Sequence, residues 1–138
     1  MRKLTRIEQV NADVLGEAAL FHVTGTILNK SIQDCNAAIR DLLKREGVID
    51  YAELEPGDKV TFEGVYSDGT ETTISAYRAK TRGDKRIWFN SLKNYADAGD
   101  IMALVIRGGK LVIQNVTKGI AVAVFAIPAL DTMARMTF

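Results

Sequence analysis

The sequence predicts a mainly β fold, a small open β-barrel with one or two short α-helices at its openings. Three observations carry this expectation. Short stretches alternate β-forming and polar residues, most clearly Val60-Thr61-Phe62-Glu63-Gly64-Val65-Tyr66; tight-turn signals separate them, as in Ser67-Asp68-Gly69-Thr70 and Gly108-Gly109; and one amphipathic helical stretch runs from Ser31 to Glu46. At 138 residues, 47% hydrophobic and 25% charged, the chain suits one domain over residues 1–138 with a real core.

Taken in order, residues 1–17 are charged and weakly patterned, and read as a frayed start whose Arg2, Lys3 and Arg6 could add phosphate contacts. Ala18 to Leu28 reads as a strand, with Leu20, His22 and Thr24 alternating against Phe21, Val23 and Gly25. From Ser31 to Glu46 the pattern predicts a helix. Ser31 caps it, Ile32, Cys35, Ile39, Leu42 and Leu43 form an apolar stripe, Lys44 and Arg45 suit its C-terminal dipole, and Gly47 closes it. Cys35 on that stripe reads as a buried, unreactive thiol.

Asp50 to Lys59 is a polar connector ending in a Pro56-Gly57 turn. Val60 to Tyr66 and Glu71 to Ala79 form a hairpin that leads into a basic run, and Ile87 to Asn90 continues as strand. Ser91 to Ala98 suggests one or two helical turns. Asp100 to Arg107 and Lys110 to Thr117 form another hairpin, and Ile120 to Ile127 reads as a buried closing strand, too short to cross a bilayer.

Composition excludes several chemistries. The single cysteine and single histidine, Cys35 and His22, leave no internal disulfide and no Cys/His cluster at zinc-ligand spacing, and a reducing cytoplasm is the default compartment. No apolar stretch follows the basic start as a secretory signal would require. Neither a phosphate-binding glycine loop, a Ser-His-Asp arrangement nor a dinucleotide fingerprint occurs. The carboxylates of the connector are not spaced as a magnesium-holding nuclease set, so no catalytic residue, metal or cofactor is expected.

Net charge is only +1, but it is unevenly distributed. From Asp50 to Glu71 seven acids face one lysine, a local charge of −6; from Arg78 to Lys93 six cations face Asp84, a local charge of +5. Any affinity for a polyanion must therefore be local. The centre of the positive block is Tyr77-Arg78-Ala79-Lys80-Thr81-Arg82-Gly83-Asp84-Lys85-Arg86-Ile87-Trp88. Arginine presents a planar fork that matches guanine O6 and N7 in the major groove, lysine supplies point charges for phosphates, and a carboxylate accepts from cytosine N4. Gly83 breaks the run as a turn residue does, so the charges sit mainly on a loop between strands. The competing readings are a solvated charge run or a basic guard on a sheet edge.

Lys80-Thr81-Arg82-Gly83-Asp84-Lys85-Arg86-Ile87 resembles the Lys-Thr-Arg-x-(Glu/Asp)-x-Arg-(Ile/Leu) signature of the N-terminal effector domain of EcoRII-type restriction endonucleases, a DNA-binding pseudobarrel of the plant B-three type. The stretch from Lys59 to Val116 carries the likeness, with weaker matches at Ala98-Gly99-Asp100 and Lys110-Leu111-Val112-Ile113. The resemblance implies two arms that straddle double-stranded DNA and read it through the major groove. Lys80, Arg82, Asp84, Lys85 and Arg86, with neighbouring Arg78, are then the expected contacts of one arm. Thr24, Asn29 and Lys30 are those of the other, although the family's Gly-His-Gln type segment has no counterpart in Thr24-Gly25-Thr26-Ile27-Leu28-Asn29-Lys30. A nuclease domain elsewhere in a longer protein is the implied partner, and no membrane is. Other readings are a single-stranded DNA or RNA binder stacking bases on Tyr77 and Trp88, or a protein-interaction module using the helix or the apolar tail. Core packing is the preferred assignment for Trp88, while Tyr77 can point either way.

Overall fold

The computed structural model describes residues 1–119, and the strand expected over Ile120 to Ile127 lies outside them. Seven strands form one curled half-barrel sheet: β1 (Ala19–His22), β2 (Ile32–Asp34), β3 (Lys59–Tyr66), β4 (Glu71–Arg78), β5 (Lys85–Phe89), β6 (Ile101–Arg107) and β7 (Lys110–Asn115). Their order across the sheet is β1-β6-β7-β3-β4-β5-β2. Neighbours run antiparallel except β3 and β7, which are parallel. Three helices accompany the sheet: α1 (Arg6–Leu15), α2 (Gly25–Lys30) and α3 (Ala37–Arg45).

Strand alternation divides the sheet into two faces. The inner face buries Phe21, Tyr66, Ile74, Ala76, Ile87, Phe89, Met102, Leu104, Leu111 and Ile113, and α3 adds Ile39, Leu42 and Leu43 to the same cluster. Gly64 stands where this packing is tightest. A Cβ there would lie 2.2 Å from Ile74 Cδ1 and 3.0 Å from the Leu111 carbonyl, so the β3–β7 approach requires glycine. On the outer face a second cluster centres on β6 and β7, where Ile101, Ala103, Val105 and Val112 pack with Leu15 of α1 and Val116, and Leu20 of β1 and Val65 of β3 border it.

Three expectations about the first half of the chain are corrected. The start is not frayed. Thr5 and Glu8 form a reciprocal capping box on α1, and Arg2 donates to both Glu8 carboxylate oxygens and to the Gly99 carbonyl. The Thr5-x-x-Glu8 spacing is the local signal for this helix start.

The strand expected through Leu28 ends at His22, because Thr24 caps α2 by accepting from the Ile27 amide. Ser31 is not the cap of the long helix but the left-handed end of α2, at φ +58°. Ile32–Asp34 then adds to β5 as an edge strand, and α3 begins only at Ala37, capped by Asn36 on the Ile39 amide. A serine and an asparagine both suit a cap, and pairing with β5 decides between them. Cys35 therefore precedes the helix, although it is buried as expected. Burial pushes its thiol up to about 12, against the pull of the Tyr51 hydroxyl at 3.1 Å. The turns expected over Ser91 to Ala98 reduce to a single 3-10 turn, Leu92–Asn94.

Candidate nucleic-acid interface

Among the described residues no helix packs closely on the outer face of β3, β4 and β5, although Thr26, Ile27 and Lys30 of α2 border it beside Ile32 of β2, and the register sets its side chains in rows. Lys59 lies opposite Tyr77, Tyr77 opposite Arg86, and Arg86 opposite Asp34; in the next row Thr61 faces Ser75, Ser75 faces Trp88, and Trp88 faces Ile32. Trp88 thus stands half-buried on the open face, in contrast to the core position expected for it. Alternation explains this: Ile87 and Phe89 occupy the inner face, so residue 88 between them must point outward.

The basic loop between β4 and β5 is a closed structure. Ala79 N–H donates to the Asp84 carbonyl at 2.9 Å, and Gly83 N–H donates to the Ala79 carbonyl at 2.8 Å. Arg78, at the end of β4, braces it from below: Nε donates to the Gly83 carbonyl at 2.9 Å and Nη1 to the Leu54 carbonyl at 2.7 Å. Gly83 turns at φ +72°, and a Cβ on it would lie 2.6 Å from Arg78 Nη2. The turn conformation and the brace both demand glycine.

The acidic connector folds against this base, so charge segregated along the sequence is not fully segregated in space. Gly57 N–H donates to the Arg78 carbonyl at 2.8 Å. A Cβ on Gly57 would meet Lys80 Cγ at 3.3 Å, which shows the lysine stem lying across the Pro56-Gly57 turn.

Around Asp84 the expected contact residues meet one another. Arg82 Nη2 and Arg86 Nη2 both donate to Asp84 Oδ2, at 2.9 and 3.0 Å, and Arg86 Nε donates to Asp34 Oδ1 at 3.1 Å. The arginines are therefore engaged by the protein's own carboxylates. Their situations differ. Arg82 is 76% exposed, and an exposed pair of this kind contributes about 0–1 kcal/mol, so a phosphate or base edge can replace Asp84 with little loss. Arg86 is 30% exposed and held between two acids. Burial alone would lower its pKa, but the hydrogen bond and charge of Asp34, helped by Tyr77, leave it raised. Asp84 orients both guanidiniums; Arg82 is the one free to leave.

Two further contacts fix the strand that carries Arg86. Tyr51 Oη donates to the Arg86 carbonyl at 2.8 Å, and Cys35 N–H donates to the Lys85 carbonyl at 2.8 Å. Burial raises the Tyr51 phenol well above its ordinary range, so the donor stays protonated.

Three adjoining hollows make the bare face a groove. The first, about 450 Å³, is lined by Lys59, Ser75, Tyr77, Lys80 and Trp88 among others; the second, about 320 Å³, by Tyr77, Lys80, Arg82, Asp84 and Arg86; the third, about 310 Å³, by Thr24, Thr26, Lys30, Ile32, Asp34 and Arg86. Tyr77 and Lys80 join the first two, and Arg86 joins the last two. Both expected arms thus border one surface. Of the candidate residues, Lys80, Arg82, Asp84, Arg86, Thr24 and Lys30 line it, and Arg78 lines the first hollow while bracing the loop. Lys85 is exposed at the start of β5 and Asn29 is exposed on α2, and neither lines these three hollows. Sequence reasoning passed over Lys59, Ser75 and Thr26. Period-two counting back from Tyr77 places Ser75 on the outer face, and the β3–β4 pairing places Lys59 opposite Tyr77.

Among the described residues, no cluster of three or more His, Cys, Asp or Glu side chains is arranged to hold a metal, and no helix is long and apolar enough to cross a membrane. No family model, curated protein or solved structure matches this chain.

Proposed function

We propose that this chain binds double-stranded DNA in a sequence-dependent way, with the β4–β5 loop in the major groove and α2 as the second arm. One observation carries the reading: an exposed arginine, Arg82, is held by Asp84 at the tip of a braced loop, beside a groove that also reaches Thr24 and Lys30. A rigid loop spends little entropy on docking, and a guanidinium already oriented by a carboxylate is preorganised for bidentate contact with a guanine. Lys80 and Lys85 reach phosphates, and Arg86, fixed between Asp84 and Asp34, supports the loop or contacts a second base. The resemblance to EcoRII-type effector domains supports the same assignment. In that setting the chain recognises the target in the cytoplasm and a separate nuclease domain cuts.

Selection from random duplexes with the natural chain and with Arg82→Ala tests this. The natural chain enriches a defined sequence, and its affinity falls steeply with salt. Arg82→Ala loses about 1–3 kcal/mol and relaxes preference at one base pair. Equal affinity of both proteins for all duplexes would reject base reading.

A further inference from the structure

We infer that the cavity between Tyr77 and Trp88 is a pocket for a single unpaired nucleobase of DNA, separate from the loop that reads paired bases. The inference extends the duplex reading, and its test separates the two.

Aromatic side chains in this protein fall into two groups. Phe21 stacks on Phe89 with ring centroids 5.5 Å apart, and Tyr66 stacks on Tyr95 at 3.8 Å, so these rings satisfy one another. Among the described residues no ring partner covers Tyr77 or Trp88. They are diagonal neighbours across β4 and β5, since Tyr77 faces Arg86 and Trp88 faces Ser75. Diagonal residues of a strand pair stand about 7–8 Å apart, which leaves room for a flat ring beside or between their faces.

The hollow they share has a volume of about 450 Å³, and Lys59, Lys80, Arg78 and Ser75 also line it. That volume falls within the class of small-ligand clefts, about 300–1,000 Å³. A nucleotide matches both parts of the lining, the base against the aromatic faces and the phosphate against the lysines. The connection to the neighbouring hollow through Tyr77 and Lys80 places the pocket in line with the proposed duplex groove. A nucleotide displaced from the stack, or left unpaired at a mismatch, bulge or strand end, enters at the smallest cost, because its unstacking is already complete.

Trp88 is the only tryptophan in the chain, so its emission reports the pocket directly. The natural chain is titrated with a paired duplex, the same duplex with one bulged 2-aminopurine nucleotide, the corresponding single strand, and deoxynucleoside monophosphates. The bulged duplex is expected to quench Trp88, to change 2-aminopurine emission on binding, and to bind more tightly than the paired duplex. Trp88→Leu, at a residue that lines the first hollow and not the loop-side one, then weakens bulge binding roughly ten- to hundredfold as read from 2-aminopurine emission, while paired-duplex affinity changes less than about threefold. Trp88→Phe, which keeps an aromatic ring, retains bulge binding and serves as the folded control.

Unchanged Trp88 and 2-aminopurine emission with the bulged duplex, alongside intact binding of the paired duplex, would overturn the pocket and leave the duplex reading standing. Quenching by unpaired strands without any affinity for paired DNA would uphold the pocket and remove the duplex reading. Quenching by monophosphates alone, or by RNA strands alone, would overturn the assignment to DNA.

Discussion

The two halves of the outer sheet face are built from the same kind of strand yet end in opposite states. Over β6 and β7, outward residues are Ile101, Ala103, Val105 and Val112, and α1 lies on them through Leu15. Over β3, β4 and β5 the equivalent positions are Lys59, Thr61, Ser75, Tyr77, Arg86 and Trp88, and among the described residues no helix packs closely on them, although Ser75 is buried. The difference teaches where each half stores its free energy. The covered half buries apolar area and holds the fold together. The bare half leaves charged and aromatic groups at or near the surface, with Arg82 and Arg86 held by hydrogen bonds to Asp84 and Asp34.

The contrast is broken most sharply from the covered side. Leu15→Ala is expected to cost about 2–5 kcal/mol in urea or thermal unfolding, because this side chain of α1 is fully buried against β6 and β7. A loss below about 1 kcal/mol would show that α1 is not integral to the fold.

Glu8→Gln is expected to have the next largest effect, and it carries a pH signature. The Arg2 hydrogen bonds hold the Glu8 carboxyl well below its ordinary 4.5; burial opposes them, and the Thr117 and Thr5 contacts reinforce them. A carboxyl lowered in the folded state contributes stability that is fully present above about pH 4.5 and is lost as the pH falls toward its folded value. The gap in melting temperature between natural chain and variant should therefore be widest at neutral pH and close on acidification. A gap independent of pH would remove the ionised carboxylate from the account.

On the bare side the same measurements should move least. Trp88→Leu is expected to cost less than about 1 kcal/mol, and Arg82→Ala to stay within about 0.5 kcal/mol of the natural chain, while each weakens binding to its proposed nucleic-acid target. Large destabilisation by either would show that the groove is structural, and would make the two halves alike.

Much of the sheet was legible because its signals are local. Asp68-Gly69 turns the β3–β4 hairpin and Gly108-Gly109 the β6–β7 hairpin, and alternation through Val60 to Tyr66 specifies a two-faced strand. The first half was read less well, since its signals compete. Ser31 and Asn36 can each cap a helix, and Ile32–Asp34 carries no strong strand pattern until β5 offers it a partner. The basic loop was found as a cluster of charge, but its internal order was not. Arg78 as a brace and Tyr51 as the anchor of Arg86 are contacts between residues 24 and 35 positions apart in sequence.

The residues alone determine that this is a β protein with tight turns and a concentrated positive stretch, because turn chemistry and period-two patterning act between near neighbours. Only the tertiary structure decides which face of each strand is covered. An outward Trp88 is a core residue or an open platform according to whether a helix lands on it, and α1 lands on β6 and β7 instead. That choice depends on the total apolar area brought together from distant parts of the chain, which no local window contains.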